Sequence, residues 1–208
     1  MEHPKSSKRE EQISRFLSKI LRHQAIKMGF KIGSDGYLSV DELLAHPSVK
    51  NQKYTLEDLH RIVANNDKQR FSMTKRGEKW FIRANQGHSF EIPDLDLTPI
   101  TDSTKYPIVV HGTYFQPLPT ILKDGLSIMG RTHIHFTTGE FGDKGVISGM
   151  RKSAEVLIYI DLEKALHNGL KFYISANGVI LSPGDETGYI SPKYFSKVLR
   201  AHDHQPLN

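Results

Sequence analysis

Apolar positions change their spacing about halfway along this 208-residue chain. In the first ninety residues they recur at helical intervals. From Glu11 onward, Ile13, Phe16, Leu17, Ile20 and Leu21 fall on one helical face. Arg15, Lys19 and Arg22 occupy the opposite face, with His23 beside them. Gly29 is the expected stop. Ser34-Asp35-Gly36 marks a turn, and Val40–Ala45 predicts a short helix halted by Pro47. Thr55 reads as an N-cap, with Asp58 completing a variant capping box. Leu56, Leu59, Ile62 and Val63 then supply the stripe of a helix ending near Asn65-Asn66. Phe71–Thr74 and Trp80–Arg83 read as two strands around a turn at Lys75-Arg76-Gly77-Glu78.

Beyond residue 90 the pattern is that of short strands. Residues 91–107 are acidic, carry three prolines and show no periodicity, which predicts a linker. Ile108–Val110 starts a strand that runs into His111-Gly112-Thr113, and Leu118–Leu122 predicts a short helix closed by Asp124-Gly125. Arg131–Thr138 alternates: Thr132, Ile134 and Phe136 point one way, His133 and His135 the other. The glycine-rich stretch 139–145 precedes a short helix expected at Ile147–Arg151. Val156–Ile160 is uninterrupted apolar sequence, as in a strand buried on both faces, and Asp161 is placed to cap a helix over Glu163–His167. Phe172–Ile174 and Val179–Leu181 flank an Asn177-Gly178 turn, and a last strand is expected near Val198. Residues 1–10 and 201–208, including His202 and His204, read as disordered tails.

These elements predict an α+β protein of two lobes, residues 11–90 and 108–200. Three helices followed by a two-stranded hairpin make a winged-helix arrangement in the first. Several short strands with few helices make a small mixed α/β or β-rich second lobe. Charge separates the lobes too. Residues 1–90 hold 17 Lys and Arg against 10 Asp and Glu, whereas residues 91–208 hold 11 against 13. A basic half suits a polyanion partner. The chain has no cysteine, which excludes disulfides, thiolate metal sites and a cysteine nucleophile. No apolar run approaches the roughly 18 residues of a membrane span, and the charged start predicts no signal peptide. Cytoplasm or nucleus is the expected compartment, and a monomer the expected state.

His133 and His135, with His111 as a third ligand, could hold a catalytic zinc. Against it, the second half has no H-E-x-x-H and no carboxylate at ligand spacing. A hydrolase lacks its G-x-S-x-G elbow. A dinucleotide fold of the Rossmann type lacks G-x-G-x-x-G, and no Walker A lysine motif is present. Taken singly, Arg22, His23, Gln69 and Arg70 read as solvated helix or loop residues.

Taken together and in order, they carry more. Leu17-Ser18-Lys19-Ile20-Leu21-Arg22-His23, Asn66-Asp67-Lys68-Gln69-Arg70-Phe71, Val110-His111-Gly112-Thr113, Arg131-Thr132-His133-Ile134-His135-Phe136, Gly149-Met150-Arg151 and Asn177-Gly178-Val179 run from residue 17 to residue 179. With these motifs the chain resembles the tRNA (RNA) 2′-phosphotransferase family. The resemblance implies a winged-helix RNA lobe joined to an ADP-ribosyltransferase-like lobe, with the active site in the cleft between them. It implies NAD as a consumed co-substrate, no metal, and an RNA, most simply a spliced tRNA, bearing an internal 2′-phosphate. The family's essential set maps onto Arg22, His23, Arg70 and Arg151. His111, Gly112, Thr113, His133, His135, Ser148 and Gly149 are then the NAD-binding candidates, and Arg15, Lys19, Lys68 and Gln69 the RNA-binding ones. Asn177-Gly178-Val179-Ile180 offers no carboxylate where many ADP-ribosyltransferases place a catalytic glutamate. Two other readings compete: transfer of ADP-ribose to nucleic-acid phosphates, and a non-catalytic nucleic-acid-binding protein.

Overall fold

A computed structural model describes residues 8–144, 146 and 148–207. The protein is of mixed α+β type and divides into two compact units, 1–96 and 97–208.

In the first unit, helix α1 (Lys8–Lys19) buries Ile13 and Leu17. The expected helix does not continue unchanged to Gly29. At Ile20–Gln24 it widens into a π-helical turn, in which the Ala25 N–H bonds the Ile20 carbonyl at 2.9 Å, five residues back. Such a turn accommodates one extra residue and frequently marks a functional position. Strand β1 (Leu38–Ser39) leads directly into α2 (Val40–Ala45), capped by the Ser39 hydroxyl. Pro47 does halt α2. It also starts a further short helix, α3 (Pro47–Lys50), because proline's fixed φ and missing N–H suit a first helical position. Helix α4 (Leu56–Ala64) has the capping box read from the sequence: the Asp58 N–H donates to Thr55 Oγ1 at 3.1 Å, and the Thr55 N–H to Asp58 Oδ2 at 3.2 Å. Strands β2 (Phe71–Arg76) and β3 (Lys79–Ala84) form the hairpin, and β1 joins the free edge of β3. The core beneath contains Leu17, Ile20, Leu38, Leu43, Leu59 and Ile82. Residues 1–7 of the expected amino-terminal tail lie outside the described residues; Lys8, Arg9 and Glu10 are helical.

The second unit starts inside the segment expected to be a linker. Strand β4 (Leu97–Pro99) is ordered because its backbone pairs with residues 173–175 and Ile100 is buried. There follow β5 (Val110–Thr113), α5 (Leu118–Asp124), β6 (Leu126–Ser127), β7 (Ile134–Phe136), β8 (Val156–Ile160), α6 (Leu162–His167), β9 (Tyr173–Ser175), β10 (Ile180–Ser182), β11 (Tyr189–Ile190) and β12 (Phe195–Arg200). They form sheets of order β4-β9-β10-β7, β12-β8-β5 and β11-β6, every pair antiparallel. All five β8 residues are buried, and Asp161 caps α6 by accepting from the Lys164 N–H at 3.0 Å. Alternation in β7 is as expected: Ile134 and Phe136 enter the core while His135 stays half-exposed.

Two expectations fail here. Residues 148–150 are not helical, since Gly149 has φ of +98° and a side chain there would strike Thr137; Ile147 lies outside the described residues. The carboxyl-terminal segment is not a loose tail. It turns back so that the Leu207 N–H bonds the Val198 carbonyl at 2.8 Å and His204 Nε2 meets Glu140 Oε2 at 2.7 Å. No helix among the described residues is long and apolar enough to cross a membrane.

Candidate active site

Arg22 and His23 lie on the π-helical turn that follows α1. Arg70 sits just before β2, at the end of a tight turn in which Gln69 adopts φ of +43°, rare for a residue with a side chain. Asn66 organises this turn. Its Oδ1 accepts from the Lys68 N–H at 3.2 Å, the Arg70 N–H at 3.3 Å and Arg70 Nη1 at 3.4 Å. Its Nδ2 reaches Ser14 Oγ on α1 at 3.3 Å. Burial pushes the Arg70 guanidinium down from its usual pKa, and the nearby Asp67 partly restores it. Arg70 nevertheless makes no ion pair among the described residues, so a desolvated cation is held ready for an anion. Arg15, Lys68 and Arg70 line one cavity of about 480 Å³ together with the carboxylates of Glu10, Glu11 and Asp67 and with Ser14, Ser18 and Asn66. Lys19 and Gln69 do not line it; Gln69 contributes main chain to the turn instead.

The second unit holds the remaining candidates. His111 and His135 are joined through backbone: His111 Nδ1 lies 2.8 Å from the His135 carbonyl. A carbonyl only accepts, so Nδ1 carries the proton and the Nε2 lone pair is left available. Burial lowers the His111 pKa, the bond to His135 opposes this, and the charge of Arg131 lowers it further, so the ring is neutral near pH 7. His133 precedes β7, meets Thr132 Oγ1 at 2.9 Å and stands edge-on to Tyr173; burial lowers its pKa as well. Among the described residues no three His, Asp or Glu side chains group to hold a metal.

Gly112 has a packing reason to be glycine. A Cβ there would come within 2.7 Å of Met150 Cγ and 3.0 Å of Ala154 Cβ. The bare backbone of β5 thus lets segment 150–154 lie against it, and that segment carries Arg151. Thr113 anchors the same region, its carbonyl accepting from the Glu155 N–H at 2.8 Å. Ser148 is buried and Gly149 packs on the end of β7. Arg151 itself is exposed, and its Nη1 donates to the Tyr114 hydroxyl at 3.5 Å, which meets Ser153 Oγ at 2.9 Å. Arg131 feels Arg151: burial first, then the positive charge of Arg151, lower its pKa. Neither arginine has an ion-pair partner among the described residues. Two like charges without a carboxylate between them suit a bound polyanion.

Sequence reasoning missed Asn66, Tyr114 and Arg131 as working parts of this arrangement. Each lies within or next to a motif already singled out, yet nothing in residue type or spacing separates a turn-holding amide from a solvated one.

A model of the RNA 2′-phosphotransferase family, Tpt1/KptA, matches residues 8–184. The chain belongs to the RNA 2′-phosphotransferase family. This is a family of transferases, and its match takes in every candidate residue named above while leaving β11, β12 and the returning carboxyl-terminal segment outside. Among full-length relatives, the chain is similar to tRNA 2′-phosphotransferase 1 of Danio rerio, 47% identical over 92% of this chain and 86% of the relative. It is 44% identical to tRNA 2′-phosphotransferase 1 of Homo sapiens, over 95% of this chain and 78% of the relative. It is also 44% identical to tRNA 2′-phosphotransferase of Saccharomyces cerevisiae, over 84% of this chain and 79% of the relative.

Proposed function

We propose that this protein removes the internal 2′-phosphate of a spliced tRNA, transferring it to NAD. The observation that carries this reading is family membership combined with Arg131 and Arg151, two neighbouring cations that make no ion pair among the described residues. Arg70 is desolvated and Arg131 and Arg151 repel one another, as expected where phosphates complete the charge balance. The first unit's order of helix, β1, helices and hairpin supports a winged-helix RNA lobe. The antiparallel sheets around His111 and His135 support an ADP-ribosyltransferase-like lobe, residues 108–200.

NAD supplies an activated ribose carbon, whose bond to nicotinamide breaks as the RNA 2′-phosphate oxygen bonds to it. The ribose 2″-hydroxyl then attacks that phosphorus. The products are 2′-OH RNA, nicotinamide and ADP-ribose 1″,2″-cyclic phosphate. In this reading Arg22 and Arg70 of the first unit and Arg151 of the second grip phosphate oxygens through their planar forks, which stay charged at any working pH. They also offset charge that builds on phosphorus in the second step. His23 orients the phosphate or moves its proton. Neutral His111, with Nδ1 fixed by His135, offers Nε2 as an acceptor to a ribose hydroxyl. Gly112, Thr113, His133, Ser148 and Gly149 line the remainder of the NAD site, and Arg15, Lys19, Lys68 and Gln69 follow the RNA strand.

The deciding experiment incubates purified protein with NAD and a 2′-phosphorylated RNA and weighs the products. Release of the cyclic phosphate with loss of the RNA phosphate is expected. ADP-ribose remaining attached to RNA would instead favour simple ADP-ribosyl transfer, and no NAD-dependent product would leave only nucleic-acid binding.

A further inference from the structure

The stretch after β3 is unusual for its chemistry. Residues 85–88 are all buried, yet Asn85, Gln86 and His88 are polar, exposed by only 5%, 5% and 1%. Buried polar groups are retained where they have work to do as hydrogen-bond partners.

Asn85 stands one residue beyond the β2–β3 ladder, which ends at the pair Phe71–Ala84. Its N–H continues the ladder by one rung, bonding the Arg70 carbonyl at 2.9 Å. Its side-chain Nδ2 donates to the Gln69 carbonyl at 2.7 Å, and its Oδ1 accepts from Ser72 Oγ at 2.6 Å. A carbonyl requires a donor, so this orientation of the carboxamide is fixed by its partners. Asn85 thereby holds, from one side, the strained Gln69–Arg70 turn that Asn66 holds from the other.

Four residues on, the same stretch reaches the other arginine. The Ser89 N–H donates to the Arg22 carbonyl at 2.9 Å and the Ser89 hydroxyl to that oxygen at 3.3 Å. Gly87, with φ of +87°, lies along the Arg22 side chain: a Cβ there would sit 3.5 Å from both Cδ and Nε. Glycine suits both the left-handed backbone and the close approach.

We propose that Asn85–Ser89 is a strap that sets Arg22 and Arg70 relative to one another, with Asn85 the positioning residue for Arg70. The proposal rests on the assignment of these arginines to the substrate phosphate. A shared strap explains how two residues 48 positions apart keep one geometry: both are fastened to five consecutive residues, the first four of them buried. A misplacement of about 1 Å at such a site is enough to cost about a hundredfold in rate.

The test is a double-variant cycle on the full chain with NAD and 2′-phosphorylated RNA. Asn85→Asp, which sets a carboxylate oxygen against the Gln69 carbonyl, should lower kcat at least tenfold while the KM for NAD holds. In an Arg70→Ala background the same change should cost nothing further, because the group it positions is gone. Ser72→Ala, a milder cut on the other side of the carboxamide, should show a few-fold loss with the same non-additivity. Losses that multiply with Arg70→Ala, or wild-type kcat in both variants, overturn the strap. If the wild type itself shows no turnover, the functional reading fails separately. The strap is then judged by amide hydrogen exchange at Gln69 and Arg70, which Asn85→Asp must accelerate and which unchanged protection would refute.

Discussion

The arginines of the two units are held in opposite ways. Arg70 emerges from a turn clamped by two asparagines and is half-buried, and the Arg22 backbone is tied to Ser89. Arg151 stands exposed on a segment with no regular structure, with one long contact to Tyr114. The segment beneath it is located by an absence of atoms, the missing Cβ of Gly112. The first unit thus presents pre-set cations, whose ordering entropy is met during folding, whereas Arg151 retains side-chain freedom that a ligand must remove. The first kind of cation suits a receptor shaped in advance, the second one that adapts to what it binds.

This contrast can be broken most directly at the arginines. Arg70→Ala and Arg151→Ala should each lower kcat/KM by about 100-fold or more, the size found for removing one preorganised charge donor, with unchanged thermal midpoints. Wild-type kinetics in either variant would remove that residue from the chemistry. Next in size comes Gly112→Ala. Pushing Met150 away should cost about 1–3 kcal/mol, as overpacking does, and should slow turnover together with it. A thermal midpoint unchanged from wild type would show that segment 150–154 gives way freely. Tyr114→Phe should be milder, a few-fold in kcat/KM with stability intact; a loss as large as that of Arg151→Ala would mean the hydroxyl itself meets substrate.

The weakest effect expected is on stability against pH. His111 and His133 have folded-state pKa values below the ordinary value of about 6.5, because burial disfavours their protonated forms. The unfolded chain therefore binds these protons first. The stabilisation is complete above about pH 6.5 and is lost as pH falls through the folded pKa values. Denaturant midpoints should decline on acidification from pH 7, and His111→Asn should flatten that decline; an identical slope would assign the acid sensitivity to other groups.

Local rules made much of this fold readable. Thr55 and Asp58 form the capping box because its geometry involves only four consecutive residues. Val156–Ile160 is buried on both faces because five apolar side chains in a row leave no polar face to expose. The Asn177-Gly178 turn, with Gly178 at φ of +73°, joins β9 to β10 as a short hairpin turn should. Errors arose where distant partners overrule local preference. The linker gained β4 because β9 offered an unpaired edge, and the carboxyl-terminal residues were fastened by Val198 and Glu140. The helix at 147–151 was read from side chains at a place where packing against Thr137 requires Gly149 to be left-handed.

By itself, the sequence determined which residue types are available and in what order. Arginines, histidines and glycines in six ordered motifs were sufficient to point to one family, because chemistry restricts residue identity more tightly than any single fold element does. Tertiary structure alone decided which of them are desolvated, clamped or free. Asn66 and Asn85 hold Arg70 across gaps of four and fifteen residues, and the carbonyl that fixes the His111 proton comes from twenty-four residues on. Burial and hydrogen-bond geometry depend on what the folded chain brings alongside, and no local pattern of residues encodes that.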